Sequence, residues 1–544
     1  VQLATIDIVV VVAYAIGIFV LAQYVSREKA GHEKDTSDYF LASKSLPWWA
    51  IGASLIAANI SAEQIVGMSG SGYVIGLAIA SYEWMAALTL LIVGKFFLPI
   101  FLRNGIYTMP QFLERRFGHK IRLLMAFFWL ALYIFVNLTS IIWLGSIAVN
   151  QVAGVDQDVA IIGLGAFALL YQLKGGLKAV ALTDIVQVTL LVMGGLLVSG
   201  ITLGKIGGDA GILGGFQTLV QRLPEHFDMI LSPDSPHYKE LPGLSVLIGG
   251  MWIANLSYWG FNQYIIQRAL AAKNIGEAQK GVVFAAYLKL LMPLIVVVPG
   301  IAAVMLAPGL DKPDQAYPTM LRYLPSGILG LVFSALVAAI IASTASKINS
   351  IATIFTLDIY ANFRRAPGAQ SQEGDIANPA LVDEKDPAQA KRERELVLVG
   401  RIAAVASVII AILVARPLLG KSDQAFQFIQ EFTGFFTPGI VVMFMLGLFW
   451  KRATEAGAII AAIASVVLSF LGKTLLPDLP FMDRMGIVFL ASLALAVLAS
   501  LATPQRPEKN FIVTGDVRFG TPASFNVAGL GVIVILIALY ATYW

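Results

Sequence analysis

The chain has 544 residues, of which 58% are hydrophobic and 13% charged, with a net charge of +4 and no cysteine. That charge content is about half that of an average soluble protein, and apolar runs of about 20 residues or more recur along the whole length. The composition therefore predicts an all-α polytopic membrane protein and excludes disulfides, thiolate chemistry and cysteine metal sites. The four histidines (His32, His119, His226, His237) fall in predicted loops, which argues against a zinc site. Basic residues flank apolar spans and form no basic face, so nucleic-acid binding is not expected.

Fourteen membrane spans are predicted, roughly 5–25, 46–73, 76–102, 121–150, 157–173, 178–205, 243–271, 277–308, 325–361, 396–419, 424–449, 452–476, 483–503 and 522–544. The first is too long, and lacks the basic start and cleavage site, to be a signal peptide. The ninth exceeds what a bilayer needs, so it projects or tilts. Most loop Lys and Arg follow the odd-numbered spans. Those loops are therefore predicted to be cytoplasmic, with both termini outside the cytoplasm. Four loops are long. Residues 26–45 and 362–394 are charged and cytoplasmic, the latter reading as a flexible linker. Residues 206–242, punctuated by Gly and Pro, and 307–324 lie outside; the former is expected to form a lid or partly helical cap.

The second span carries AANISAEQ (Ala57–Gln64), with Asn59, Ser61, Glu63 and Gln64 at its middle and Gly67, Ser69, Gly70, Ser71 and Gly72 beyond. Lipid cannot satisfy those polar groups; protein, water or a solute must. A helix unwound there would offer free carbonyls to an ion and a solute, whereas an unbroken helix would use the small residues for packing. The seventh span, with Asn255, Ser257, Asn262 and Gln263, has the same interrupted character. Spans 2 and 7 lie five apart, so units 2–6 and 7–11 would have opposite orientations. Interrupted helices in matching positions of inverted halves point to a transport site at the bilayer midplane.

Several stretches carry a family likeness: DYFLASKSLPWWAIGASLIAANISAEQ, GSGYVIGLAIASYEWM, YIFVNLTS, LTDIVQV, NLSYWGFNQYIIQRALAAK, GVVFAAYLKL, FQFIQEFTG, and GLFWKRATEAGA with Gly447, Arg452, Gly457 and Ala458. On these the chain resembles the sodium/solute symporter family, in particular its bacterial sodium/galactose (sodium/glucose) branch, over nearly its full length. The resemblance implies a leucine-transporter-like five-plus-five inverted repeat with four extra helices. The expected divisions are 1–45 (first helix and loop), 46–205 (first repeat), 206–242 (outer loop), 243–450 (inverted repeat) and 451–544 (three added helices). It also implies symport of sodium and a monosaccharide, galactose or glucose, by alternating access in the cell inner membrane, with a monomer sufficient for transport. Rival readings are a symporter of another small polar solute, coupled to sodium or protons, and a transporter-like sensor or channel. No nucleophile motif, metal cluster or phosphate loop suggests an enzyme.

Charged residues within spans include Glu63, Glu83, Lys95, Asp184, Lys289, Lys347, Arg401 and Glu431. Lys95 and Arg401 lie within reach of cytoplasmic ends and are expected to snorkel. Glu83 and Lys289 would each be costly alone in the membrane; they either bond sugar hydroxyls or form an ion pair. The resemblance places both at the sugar, with the amides of Gln64, Asn255 and Gln430. The family's sugar-contacting serine is replaced by Ala86. Tyr258 matches an aromatic inner gate stacked on the sugar, and Met68, Tyr82 and Phe426 match an outer hydrophobic gate. Asn59, Asn137 and Asn262 match supporting positions. For sodium, the resemblance implies carbonyls of Ala57, Ile60 and Ala339 and the Ser343 hydroxyl; Asp184, in the cytoplasmic half of the sixth span, either receives sodium on exit or is a structural carboxylate. The family's paired serines read Ala342–Ser343 here, which removes one ligand.

Overall fold

A computed structural model describes residues 3–25, 45–106, 108–172, 177–364, 387–506, 512 and 514–544. The helices in chain order are α1 (Thr5–Val25), α2 (Trp48–Asn59), α3 (Glu63–Val74), α4 (Leu77–Arg103), α5 (Met109–Arg116), α6 (His119–Ala153), α7 (Gln157–Gln172), α8 (Leu177–Gly207), α9 (Gly211–Arg222) and α10 (Leu244–Phe261). There follow α11 (Gln263–Leu270), α12 (Ile275–Leu306), α13 (Ala316–Leu321), α14 (Ile328–Phe363), α15 (Pro387–Leu419), α16 (Ala425–Thr433), α17 (Thr437–Phe449), α18 (Glu455–Leu475), α19 (Phe481–Ala502) and α20 (Ala523–Thr542). Among the described residues, ten helices are long and apolar enough to cross a membrane, or twelve if each of two bent pairs is one span. Helices α1 and α7 contribute shorter apolar stretches.

The second span breaks where its polar residues predict. Helix α2 ends at Asn59, Ile60 turns extended (φ −70°, ψ 106°), and α3 departs at 66°. The Ser61 hydroxyl accepts the Glu63 N–H at 3.2 Å, giving the second half-helix a local partner for one of its free donors. The seventh span is interrupted at Gly249 (φ −122°, ψ −101°) and again at Asn262 (φ −89°, ψ 118°), a glycine and one of the polar positions its sequence offers, whereas Asn255 and Ser257 lie within the unbroken helix Gly250–Phe261. A further sharp bend falls in the eleventh span, where α16 and α17 meet at 46°. Pro438 in the first turn of α17 has no N–H to offer the preceding turn, so the helix restarts there.

Helix α12 is the spine. It packs against α2, α3, α4 and α8. Small residues permit the close approach: a Cβ on Gly300 would fall 2.2 Å from the Ser69 carbonyl oxygen, and one on Gly281 2.5 Å from Ile51. The apolar window of α4 is 72% buried, whereas those of α15 and α20 are 22% buried, so the latter form the lipid-facing rim. Asp7 of α1 accepts the Gly327 and Gly330 N–H groups at 2.6 and 2.9 Å, pinning α1 to the start of α14.

The loop expected over residues 206–242 is partly helical: α9 and a turn at Pro224–Phe227 lie at the end of α3, and turns make up most of the remainder. There the His226 ring donates to the Tyr73 carbonyl at 3.1 Å, and Gly76 reverses the chain at φ +97° against the His226 backbone. Below, Arg116 donates to the carbonyls of Gly447, Trp450, Lys451 and Ala453, fastening the end of α17. Arg452 likewise holds the Ser500, Leu501 and Thr503 carbonyls, which accounts for the GLFWKRATEAGA stretch as a joint between α17, α18 and α19. Of the two predicted cytoplasmic loops, residues 26–44 and 365–386 lie outside the described residues. Residues 387–394, read as linker from sequence, begin α15.

Candidate functional site

The break between α2 and α3 opens onto a cavity enclosed by α4, α6, α10, α12, α14 and α16. Its centre is a buried polar chain. Lys289 of α12 donates to Glu83 Oε2 of α4 at 2.6 Å and to Asn59 Oδ1, while Gln64 Nε2 donates to the other Glu83 oxygen. Both charged side chains are almost fully buried. Neither is isolated, so the desolvation each suffers is met by a charge and by amides. The Lys289 ammonium also lies 5.1 Å from the Trp259 ring centre.

From Asn59 the chain continues toward the break. Asn59 Nδ2 donates to Tyr258 Oη at 3.1 Å, Tyr258 pairs with Tyr264 Oη at 2.9 Å, and Tyr264 donates to the Ala58 carbonyl at 2.9 Å. The unwound turn is thus tied to the floor of the cavity by two tyrosines from α10 and α11. At the opposite end, Tyr82 and Phe426 meet edge to face at 5.0 Å, and Tyr82 Oη donates to Gln427 at 3.0 Å. An aromatic lid and a tyrosine floor therefore bracket a compartment whose middle offers both donors and acceptors.

Asn59, Gln64, Tyr82, Glu83, Ala86, Asn137, Asn255, Tyr258, Asn262, Lys289, Phe426 and Gln430 all line this cavity. Asn255 spends its side-chain donor on the Met251 carbonyl at 3.1 Å, and Asn262 accepts from Tyr133 at 3.3 Å. Met68 is wholly buried behind the lid and does not line the cavity. Ala57, Ile60, Ala339 and Ser343 lie outside the lining. Ser343 Oγ donates back to the Ile340 carbonyl at 3.1 Å, and α14 is not among the principal packing partners of α2. Asp184 of α8 is paired with Arg268 of α11 at 3.2 Å, and the same guanidinium reaches the Ser54 hydroxyl of α2 at 2.8 Å.

Sequence reasoning gave no role to Arg268, Tyr264, Tyr133 and Trp259, and singled out Glu63 and Lys347 only as charges. Glu63 accepts from Ser140 at 2.6 Å, and Lys347 rests on two tyrosine rings. Tyr264 follows Tyr258 by six residues across the Asn262 break. Helical spacing alone would not join them; the break does. Among the described residues no group of three or more His, Asp or Glu is placed to hold a metal ion.

Residues 39–378 and 384–465 match the sodium:solute symporter family. The chain is 49% identical to a sodium/glucose cotransporter of Vibrio parahaemolyticus over 561 residues, spanning 100% of this chain and 99% of that protein. It is 33% identical to sodium/myo-inositol cotransporter 2 of Mus musculus over 490 residues, 85% of this chain and 69% of that one. Its fold is similar to that of a Na+-coupled sialic acid symporter solved in a substrate-bound outward-open state, with a TM-score of 0.73 and 22% identity over 92% of this chain and 99% of that one. The chain belongs to the sodium:solute symporter family, and it is a sodium-coupled symporter, not an enzyme.

Proposed function

We propose that the chain carries a neutral monosaccharide, glucose or galactose, inward with sodium by alternating access in the cell inner membrane. The observation that carries this reading is the Glu83–Lys289 pair with Gln64 and Asn59 in one cavity at a broken helix. Its charges cancel, so it favours a neutral solute. Its amides, carboxylate and ammonium offer the directional donors and acceptors that hydroxyls need. Asn255 and Gln430 would complete the ring of contacts. The full-length relative named a sodium/glucose cotransporter supports the same substrate class.

In this reading the chain crosses the membrane fourteen times with both termini outside. α1 and α7 supply the two spans beyond the twelve, and residues 46–205 and 243–450 form the inverted halves. Sodium binds at the break through carbonyls of Ala57, Ile60 and Ala339 and the Ser343 hydroxyl, fixing α2 against α14. Sugar then binds, Met68, Tyr82 and Phe426 close above it, and one helix group rocks against the other. Sodium departs past Asp184; Tyr258, steadied by Asn59, Asn137 and Asn262, swings aside and sugar follows. One charge crossing ~100 mV contributes ~2.3 kcal/mol, which supports roughly 50-fold accumulation at one-to-one coupling. A monomer contains every element of this cycle.

Counterflow of labelled glucose and galactose in proteoliposomes, with and without sodium, tests the reading. Sodium-stimulated exchange of either sugar is expected. Exchange of myo-inositol in preference to both would move the substrate to polyols, as the relatives named for myo-inositol suggest. No sodium response would reject the coupling.

A further inference from the structure

The cavity contains a second lysine that the sugar site does not use. Lys347 of α14 is 4% exposed. Its ammonium lies 3.7 Å from the centre of the Tyr264 ring and 4.7 Å from that of Tyr133. Among the described residues no hydrogen bond or ion pair holds it, in contrast to Lys289, which has Glu83 at 2.6 Å in the same cavity. An ammonium buried at membrane depth is costly unless something compensates it. Here the compensation is two aromatic faces and the field of Glu63, which also lines the cavity and is itself engaged by Ser140 at 2.6 Å. Aromatic faces hold a cation without consuming its N–H groups, so Lys347 remains a charge directed at the cavity.

Its position relates it to the ion. Lys347 follows Ser343 by four residues, one turn along the same face of α14. The ring beneath its ammonium belongs to Tyr264, whose hydroxyl is bonded to the Ala58 carbonyl at the break. The charged and titratable groups beside it are Glu63 from α3, Tyr133 from α6 and Tyr264 from α11. Arg268, four residues beyond Tyr264, is paired with Asp184 of α8. The charged groups lining the cavity, Glu63, Glu83, Lys289 and Lys347, sum to zero. A sodium ion added beside them makes the sum positive and meets the Lys347 ammonium as a like charge that no hydrogen-bonded carboxylate screens.

We propose that Lys347 is a tethered cation that competes with sodium at the helix break, holding the region when sodium is absent and weakening its binding when present. The consequence is fast sodium release to the cytoplasm, at the expense of affinity. The proposal rests on the sodium reading above and adds a residue that sets the strength of coupling.

The test is a sodium titration of sugar uptake in proteoliposomes, together with direct binding of radioactive sodium to purified protein without sugar. Wild type is compared with Lys347→Met, Lys347→Gln and Lys347→Arg. The two neutral variants should bind sodium on the order of tenfold more tightly, show lower half-saturating sodium, and be inhibited more by internal sodium; Lys347→Arg should stay near wild type. A residue needed only for packing would lower maximal uptake and leave sodium half-saturation where it was, which would overturn the proposal, as would weaker sodium binding in the neutral variants. If Lys347→Met fails to fold, Lys347→Gln, which keeps a polar end, gives the same reading. A wild type indifferent to sodium would overturn the sodium assignment and this proposal with it. A sodium-responsive wild type matched by both neutral variants overturns the proposal alone.

Discussion

Glu83 of α4 and Lys289 of α12, 206 positions apart in the chain, meet at 2.6 Å in the middle of the protein, each with an amide on its far side. The pair therefore has two separable effects. It neutralises two buried charges, which concerns folding, and it presents oriented donors and acceptors to the cavity, which concerns transport.

Those effects separate in a double-mutant cycle. Lys289→Met leaves the Glu83 carboxylate buried and unpaired, a loss of roughly 3–5 kcal/mol, and should abolish sodium-driven uptake. Adding Glu83→Gln removes the stranded charge, so much of the thermal stability should return while uptake stays absent. Melting temperature and labelled-sugar uptake on the same preparations decide it. Uptake returning with stability would show the pair to be structural only.

Tyr258 distinguishes ring from hydroxyl. Its ring packs edge to face on Trp259 at 5.0 Å, and its hydroxyl links Asn59 to Tyr264. Tyr258→Phe keeps the ring and loses two hydrogen bonds, so uptake should fall about two- to tenfold. Tyr258→Ala also opens the floor of the cavity and should uncouple sugar leak from sodium. Equal, wild-type uptake by both variants contradicts a gate at this residue.

Much of this arrangement was legible in the sequence because a membrane makes polar residues conspicuous. Asn59, Ser61 and Gln64 in an apolar run demanded a break or a partner, and the chain supplies both. Glu83 and Lys289 were legible as costly charges, although only the fold joins them. What stayed hidden depends on geometry that no residue type announces. The bend between α16 and α17 follows from Pro438 in a run that otherwise reads as one span. Of the polar positions in the seventh span, Asn262 does mark a break, whereas Asn255 and Ser257 sit in continuous helix, since an asparagine that bonds its own helix's Met251 carbonyl needs no unwinding. Arg268 drew no role from the sequence, yet it is the partner of Asp184.

A buried carboxylate outside the spans supplies a pH prediction. Asp314 lies in the loop between α12 and α13, presses on Gly70 of α3 and accepts the Ala425 N–H, at the start of α16, at 3.2 Å. It thereby bridges one half of each of the two bent pairs. Burial, opposed by the Ala425 N–H and Lys312, raises its carboxyl from 3.8 to about 7. The folded state thus holds this proton more tightly than the unfolded chain. The stability it contributes is complete below about pH 4, declines as pH rises and is lost above about pH 7. Melting of wild type between pH 5 and 8 should show a downward slope of a few degrees that Asp314→Asn flattens. Parallel slopes in the two proteins would remove Asp314 as the cause.

The proposed sodium site turns on one hydroxyl. By the family resemblance, Ser343 matches the second of two serines and Ala342 the first. In this structure Ser343 Oγ is bonded to the Ile340 carbonyl at 3.1 Å, one turn back, and α14 is not among the principal partners of α2. Sodium binding in the proposed cycle must therefore draw α2 and α14 together and exchange that internal hydrogen bond for the ion. Ser343→Ala strips the site to carbonyls and water, so half-saturating sodium should rise on the order of tenfold or more, the scale of a lost bond to a charged group. Ala342→Ser adds a hydroxyl that an earlier carbonyl in the helix can accommodate when no ion is present, and half-saturating sodium should fall. Because coupling is reciprocal in binding free energy, Ala342→Ser should also enlarge the effect of sodium on sugar affinity, and Ser343→Ala should shrink it. Sodium-titrated uptake and sugar binding for the three proteins measure both quantities. A titration unmoved by Ser343→Ala places sodium elsewhere, and the coupling of this transporter would then have to be sought at the carboxylates, Glu63 and Asp184, in place of the hydroxyl.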